Sequence, residues 1–186
     1  MTDRSAAIVL VTGNAGKLAE ARRLSVGLEL EAADIDLPEI QALDLRAVAL
    51  AKAEEAWRLL RRPLIVEETG LELAALNGFP GALVKWMLAA VGAEGIADVA
   101  LKAGDPRAAA RSILIYRHEG GTIESCGATR GELVLPARGS GGFGWDPVFV
   151  PEGEERTYGE LSGEEKDRIS HRGRAWRALI AELDSG

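Results

Sequence analysis

Residues 7–18 read AIVLVTGNAGKL, and the change of pattern within this stretch decides the fold class. The continuous apolar run at 7–12 is typical of a strand buried on both faces. Gly13 follows, and apolar residues then recur at helical spacing over 15–24. The stretch therefore predicts a buried strand that leads through a glycine loop into a helix, as in α/β proteins.

The rest of the chain predicts a mixed sheet with helices around it. Alternating polar and apolar residues at 109–118 and 122–135, separated by the turn EGG, indicate an antiparallel hairpin. Further strands are predicted at 28–37, 63–70 and 71–78, and helices at 15–24, 42–61 and 164–183. Another helix is predicted from the turn FPGA to about residue 103, with a break near Gly92 to Gly95. This order of elements predicts an α/β fold.

Composition limits the class of protein. The chain has 186 residues, 47% hydrophobic and 27% charged, which suits one domain over 1–186. A net charge of −7 argues against a non-specific nucleic-acid-binding protein, although it leaves room for a small anionic substrate at a local cluster of Lys and Arg. Cys126 is the only cysteine, and no apolar stretch approaches the ~20 residues of a membrane span. We therefore expect a cytoplasmic protein that binds neither nucleic acid nor membrane.

The loop VTGNAGKL, residues 11–18, has the features of an anion site. A strand that enters a helix through glycine leaves free backbone N–H groups at the positive end of the helix dipole. The loop is not a Walker A motif, because Gly13 is too close to the Gly-Lys pair and Leu18 replaces the required hydroxyl. Thr12, Asn14 and Lys17 complete the candidate site. The alternative is an ordinary helix start with Asn14 as N-cap.

A pair of acids, Glu67 and Glu68, ends the predicted strand LIVEETG. Adjacent strand residues point to opposite faces, so both can enter one site only if the strand turns at Thr69-Gly70, as that dipeptide suggests. Carboxylates at the end of a buried strand are costly unless they are paired or bound to a cation. Glu39, in IDLPEIQ, could complete a Mg²⁺ site together with substrate phosphates. The alternative is that these are solvated loop acids.

Two further stretches contain candidate ligand-binding residues. In GSGGFGWDP, residues 139–147, four glycines permit close backbone approach, Phe143 and Trp145 offer faces for stacking, and Asp146 offers an acceptor. The alternative is a flexible loop whose aromatic side chains pack into the core.

The second stretch combines Lys166 with SHR, residues 170–172. On one uninterrupted helix Ser170 and Arg172 would lie about 200° apart and could not converge on a ligand. SGEE at 162–165 is a capping-box pattern for a short helix, and Ser170 can cap a second one. A break there would place His171 and Arg172 at a helix N-terminus. The alternative is that both are solvated helix residues.

In combination these stretches resemble the inosine triphosphate pyrophosphatase family. The similarity runs nearly end to end, through VTGNAGKL, IDLPEIQ, VEETGLELAALNGFPGALVKWML, GFGWDPVFVPEG, TYGEL, EK and SHRGRAW. It implies an elongated mixed sheet with flanking helices that form two lobes around a central cleft, the second lobe roughly at 104–160. It also implies a homodimer, Mg²⁺, and hydrolysis of ITP, dITP or XTP to the monophosphate and pyrophosphate.

The resemblance also implies roles for individual residues. Glu39 and Glu68 would bind metal, and Glu68, with Glu67 beside it, would act on the attacking water. The triphosphate would be held by Thr12, Gly13, Asn14, Lys17, Lys52 and Lys85. The base pocket would be formed by Phe143, Gly144, Trp145 and Asp146 and closed by Lys166, His171 and Arg172, with Thr69 and Ser170 also facing the substrate.

One residue departs from the family pattern, which usually has Asp at the position of Glu68. The extra methylene displaces the carboxylate, and catalytic placement tolerates little displacement. Three outcomes are open: the backbone compensates, the rate is reduced, or Glu67 takes part of the role. The second hypothesis for the function is therefore a nucleotide-binding module of the same fold with weak or no hydrolysis. A third, a phosphotransferase, is disfavoured by the broken Walker spacing.

Overall fold

The apolar run near the start of the chain forms the strand from which the sheet is built. A computed structural model describes residues 7–185. Its first strand, β1 (Ile8–Val11), is buried along its whole length and pairs in parallel with β2 (Leu30–Ala33) on one side and β3 (Leu64–Leu73) on the other. The prediction of a buried strand at 7–12 is confirmed. The predicted strand at 28–37 is shorter than expected, because only its middle pairs with β1.

Antiparallel strands extend the sheet beyond β3. β5 (Arg107–His118) pairs with β3, β6 (Gly121–Leu133) pairs with β5, and β7 (Phe149–Pro151) pairs with β6. Among the described residues the sheet has seven strands: six follow the order β2-β1-β3-β5-β6-β7, and β4 (Pro80–Gly81) pairs with the end of β3. The predicted mixed sheet and its hairpin are confirmed, whereas the division into two lobes and the single domain stay predictions.

Residues 7–185 contain five α-helices, which flank the sheet. They are α1 (Ala15–Leu24), α2 (Leu45–Leu60), α3 (Val84–Lys102), α4 (Gly163–Ile169) and α5 (His171–Ser185). α1 and α5 pack on the face that carries Leu10 and Ile65, and α2 packs on the opposite face against Val9 and Val66. The alternation of the strand residues therefore assigns each side chain of β3 to one of two separate surroundings.

The local helix signals agree with the structure. Asn14 is the N-cap of α1, and its side chain accepts a hydrogen bond from the Lys17 amide. Ser162 and Glu165 form the predicted capping box of α4. The helix is interrupted at Ser170, between α4 and α5, as predicted. Gly92 interrupts α3 with a φ of 71°. Within residues 7–185 no helix combines the length and the apolar character needed to cross a membrane.

The prediction of a turn at Thr69-Gly70, with separate strands at 63–70 and 71–78, was wrong. β3 continues to Leu73, because β5 pairs with it without interruption from Leu64 to Leu73. Gly70 is needed there for close approach, since a Cβ at that position would lie 3.0 Å from the Gly81 carbonyl oxygen of β4. Only a 3-10 helix at Ala74–Leu76 follows the strand.

Candidate functional site

The loop between β1 and α1 forms one side of the candidate site. Asn14 caps the helix, and its backbone N–H donates to Thr12 Oγ1 at 3.1 Å. Lys17, one turn into α1, donates through Nζ to the Glu67 carbonyl oxygen at 3.1 Å, which brings the loop against β3. Burial lowers the pKa of Lys17, and Glu67 and Glu68 only partly oppose that effect. The arrangement is a helix N-terminus with a lysine beside it, suited to an anion.

Glu67 and Glu68 do not share one environment, which corrects the expectation that the strand turns to bring them together. Because β3 continues straight through both residues, their side chains leave opposite faces of the sheet. Glu68 faces α2, where it meets Lys52, whereas Glu67 faces α1 and α5, where it meets Arg172. The site is thus divided by the strand itself.

On the α2 face, one ammonium group joins two carboxylates. Lys52 Nζ donates to Glu39 Oε1 and to Glu68 Oε1, each at 2.6 Å. The hydrogen bond from Lys52 lowers the pKa of Glu39. Burial lowers the pKa of Lys52, but the two carboxylates outweigh it, so that pKa lies above its ordinary value. Lys85 is mostly exposed and approaches Glu39 at 3.8 Å. We refer to Glu39 and Glu68, together with the Lys52 that joins them, as the carboxylate pair with its lysine.

On the other face lies a buried charge network, which consists of Glu20, Glu67, Asp146, Lys166 and Arg172. Arg172 donates through Nε to Glu67 Oε1 at 2.7 Å and through Nη1 to Glu20. Lys166 donates to Glu20 at 2.8 Å and to Asp146 at 2.6 Å. Thr69 joins the network through its hydroxyl, which donates to Glu67 and accepts from Arg172. All five charged side chains are at most 7% exposed.

The electrostatics keep most of this network ionised. Burial raises the pKa of Glu20, but the positive charges of Arg172 and Lys166 outweigh it. Burial likewise raises the pKa of Glu67, and Arg172 and Lys17 outweigh it there. Both pKa values therefore lie below the ordinary value. For Asp146 burial prevails over Lys166 and raises the pKa. Buried charges of this kind are tolerated only when they are paired and hydrogen-bonded.

The glycine-rich loop places an aromatic ring over the two cations of the network. The Phe143 ring centroid lies 5.0 Å from Lys166 Nζ and 5.2 Å from Arg172 Cζ, within the range of cation–π contacts. The same ring packs on α1, where a Cβ at Gly16 would lie 2.5 Å from it. The Phe143 amide donates to Asp146 at 2.7 Å, and Gly144 has a φ of 65°. The loop is therefore held against the network.

Several buried polar atoms around the network have no hydrogen-bond partner among the described residues. They are Glu67 Oε2, Ser112 Oγ, Trp145 Nε1, the Tyr158 hydroxyl, Trp176 Nε1 and both ring nitrogens of His171. Buried polar atoms are rarely left unpaired, so each of these atoms is a candidate partner for a polar ligand or a water molecule. Burial lowers the pKa of His171 well below its ordinary value, and the neutral ring offers one donor and one acceptor.

Not every residue expected at the site has a free functional group there. The Ser170 hydroxyl accepts from the Gly173 amide at 3.0 Å, so it caps α5.

Glu20 belongs to the network but was absent from the sequence prediction. One signal could have indicated it: Glu20 lies three residues after Lys17, on the same side of α1. Its partners, however, are more than 140 positions away in the chain.

The Mg²⁺ site predicted from the sequence is compatible with the positions of Glu39 and Glu68. Within the described part of the chain, no group of three or more His, Cys, Asp or Glu side chains could hold an ion by itself. Two carboxylates lie together, however, and Mg²⁺ commonly binds through one or two carboxylates and substrate phosphates. Glu39 and Glu68 therefore fit a cation that shares its coordination with a phosphate ligand.

Comparison with known proteins gives the family. A model described as Ham1 family matches residues 8–182. The chain belongs to the Ham1 family. A dITP/XTP pyrophosphatase of Methanopyrus kandleri is 39% identical over 171 residues, covering 90% of this chain and 91% of that protein. An inosine triphosphate pyrophosphatase of Yarrowia lipolytica is 40% identical over 178 residues, covering 92% of this chain and 93% of that protein.

A solved Ham1 structure has the same architecture. The HAM1 protein from Coxiella burnetii superposes with a TM-score of 0.82 at 29% identity, covering 96% of this chain and 98% of that one. The resemblance inferred from the sequence motifs is therefore confirmed at the level of the family, and the mixed α/β sheet is confirmed as a Ham1 fold.

Proposed function

We propose that this Ham1 protein hydrolyses ITP, dITP and XTP to the nucleoside monophosphate and pyrophosphate. Relatives at 39% and 40% identity that carry the names of such pyrophosphatases support this proposal. The observation that carries it in this chain is the site itself. The N-terminus of α1, with its lysine, lies on the same face of β3 as the buried charge network, and the carboxylate pair with its lysine lies on the other face.

The phosphate end of the substrate binds at the β1–α1 loop. The residues that hold it are Thr12, Gly13, Asn14 and Lys17 from the loop and α1, with Lys52 and Lys85 from the opposite side. The backbone N–H groups and the helix dipole favour the negative charge. Lys17 supports this role, because its ammonium is held beside the loop by Glu67, 3.1 Å from the carbonyl oxygen and 3.9 Å from Oε1.

Glu39 and Glu68 would hold the Mg²⁺ ion, and Glu68 would orient the attacking water. When bound, the ion neutralises charge on the phosphates and polarises the bond that breaks. Glu67 has a different role from the one expected, because it is buried on the far face with Arg172. We assign it to the positioning of Arg172.

The purine binds where the unpaired polar atoms and the two cations meet. Lys166, His171 and Arg172 face the 6-oxo group of hypoxanthine or xanthine. The wall of the pocket is formed by Phe143, Gly144, Trp145 and Asp146, and Thr69 and Ser170 support it. Adenine presents an amino donor at position 6 and would leave buried donors unpaired. A site built in this way rejects the wrong base strongly.

We propose a cytoplasmic homodimer as the working form. Leu43 and Trp86 are each 63% exposed and Phe79 is 44% exposed. The main chain of Leu43 lies against β4, which directly follows Phe79, because a Cβ at Gly81 would be 3.2 Å from the Leu43 carbonyl oxygen. Large exposed apolar side chains that are close together often mark an interface.

A product assay tests the proposed reaction. The protein is incubated with ITP and Mg²⁺, and pyrophosphate and orthophosphate are measured separately. Pyrophosphate in equal amount to IMP is expected, and Glu68→Gln should lower the rate at least ~100-fold. Orthophosphate without pyrophosphate would contradict cleavage between the α and β phosphates. Binding of ITP without product would favour the second candidate, a nucleotide-binding module in which Lys52 holds the longer Glu68 side chain unproductively.

A further inference from the structure

Lys52 occupies the position between the two carboxylates that are proposed to hold a divalent cation. Its ammonium is 2.6 Å from one oxygen of Glu39 and 2.6 Å from one oxygen of Glu68. A Mg²⁺ ion binds carboxylate oxygens at about 2.0–2.1 Å. Each oxygen would therefore have to move by only about 0.5 Å to accept the ion in place of the ammonium.

The ammonium and a divalent ion cannot occupy this position together. Both are cations, and both need the same two oxygen atoms. The side chains of Lys52 and Glu68 are 17% and 16% exposed, and that of Glu39 is 34% exposed, so the group borders solvent and a cation can reach it. Lys52 also acts on Lys17 at the phosphate loop: burial is the main cause of the lowered pKa of Lys17, and the positive charge of Lys52 lowers that pKa further.

We propose that Lys52 holds the metal position in the nucleotide-free protein and leaves it when metal and nucleotide bind together. This inference rests on the metal role of Glu39 and Glu68 proposed above. The incoming triphosphate supplies anionic oxygens that replace both carboxylates as partners of Lys52. The free protein therefore binds divalent cations weakly, and removal of the ammonium exposes two carboxylates that bind a cation without any nucleotide.

Direct metal binding tests this competition. Mn²⁺, which shares the preference of Mg²⁺ for carboxylate ligands, is titrated in the absence of nucleotide, and free Mn²⁺ is measured by electron paramagnetic resonance. Lys52→Met should bind Mn²⁺ at least tenfold more tightly than the unmodified chain, and Lys52→Gln should behave in the same way. Lys52→Arg, which keeps the positive charge, should bind as weakly as the unmodified chain.

A matched control separates competition from a general change of charge. Lys85→Met removes one positive charge near the same Glu39, but Lys85 is 72% exposed and 3.8 Å away. It should change Mn²⁺ affinity by less than threefold. Adding Glu68→Gln to Lys52→Met should remove the gain, which shows that the new affinity belongs to this carboxylate pair. Thermal unfolding of each variant verifies that it is folded.

The inference would be overturned by equal Mn²⁺ affinity in the unmodified chain and both neutral Lys52 variants, or by an equal gain in Lys85→Met. Its failure is distinct from that of the proposed function. ITP hydrolysis by the unmodified chain is measured separately, and hydrolysis with no effect of Lys52 on Mn²⁺ affinity would contradict only the competition.

Discussion

Glu20 joins the two cations of the buried network, since it accepts from Lys166 through one oxygen and from Arg172 through the other. Replacement by Gln keeps the shape but breaks two buried ion pairs at once, so that Lys166 keeps only Asp146 and Arg172 keeps only Glu67 as a carboxylate partner. We expect Glu20→Gln to lower the free energy of unfolding by about 3 kcal/mol, as for other broken buried ion pairs, and to raise KM for ITP. Urea unfolding and steady-state kinetics measure the two effects.

The exposed Glu29→Gln serves as the control for Glu20→Gln, because it removes the same charge on the short segment that follows α1. It should change neither quantity appreciably. An equally stable Glu20→Gln protein with unchanged KM would show that the network does not depend on this carboxylate.

His171 makes stability depend on pH. Burial lowers its pKa well below the ordinary 6.5, so the unfolded chain binds a proton that the folded chain does not. Stability from this residue is complete above pH 6.5 and is lost as pH falls below it, by about 1.4 kcal/mol per pH unit. Urea unfolding between pH 7.5 and 5.5 should show this loss, and His171→Asn should reduce it.

The control for the pH dependence is His118→Gln, which removes the other histidine of the chain, at the end of β5. This variant should keep the dependence of the unmodified protein. A His171→Asn variant with an unchanged dependence would contradict the assignment.

At the scale of elements, the corner between α4 and α5 determines the position of two site residues. Ser170 caps α5, and the next two residues are His171 and Arg172. Loss of a side-chain cap costs about 1 kcal/mol. Ser170→Ala should lower the free energy of unfolding by that amount and raise KM for ITP severalfold, whereas Ser185→Ala, at the far end of α5, should do neither. An unchanged KM would show that the corner is held by other contacts.

How much of each element could be predicted depended on the range of the interaction that forms it. The ends of α1, the capping box at Ser162 and the hairpin have signals within a few residues, and all were predicted. The continuation of β3 through Gly70 depends on β5, which lies some forty positions later, and on the approach of β4. Glu20 was missed for the same reason, because its partners lie at the other end of the chain.

At the scale of the whole molecule, the exposed apolar side chains near the β3–β4 turn predict self-association. Sedimentation velocity should show a dimer, and Trp86→Glu should give a monomer, because a buried unpaired charge opposes the contact. Val26→Glu is the control, since Val26 is 83% exposed at the turn between α1 and β2. A dimer that survives Trp86→Glu would place the interface elsewhere.

The separation of Glu67 and Glu68 by the plane of the sheet has a consequence for ionic strength. Salt screens charges that border solvent and hardly affects charges that are buried. The carboxylate pair with its lysine borders solvent, whereas the cations of the buried network are at most 3% exposed. Raising NaCl from 0.05 to 0.5 M (about a threefold shorter Debye length) should therefore raise KM for ITP and for ATP by the same factor. The preference for ITP over ATP, measured as the ratio of kcat/KM, should stay constant. A preference that fell with salt would mean that the base is recognised by charges that water reaches.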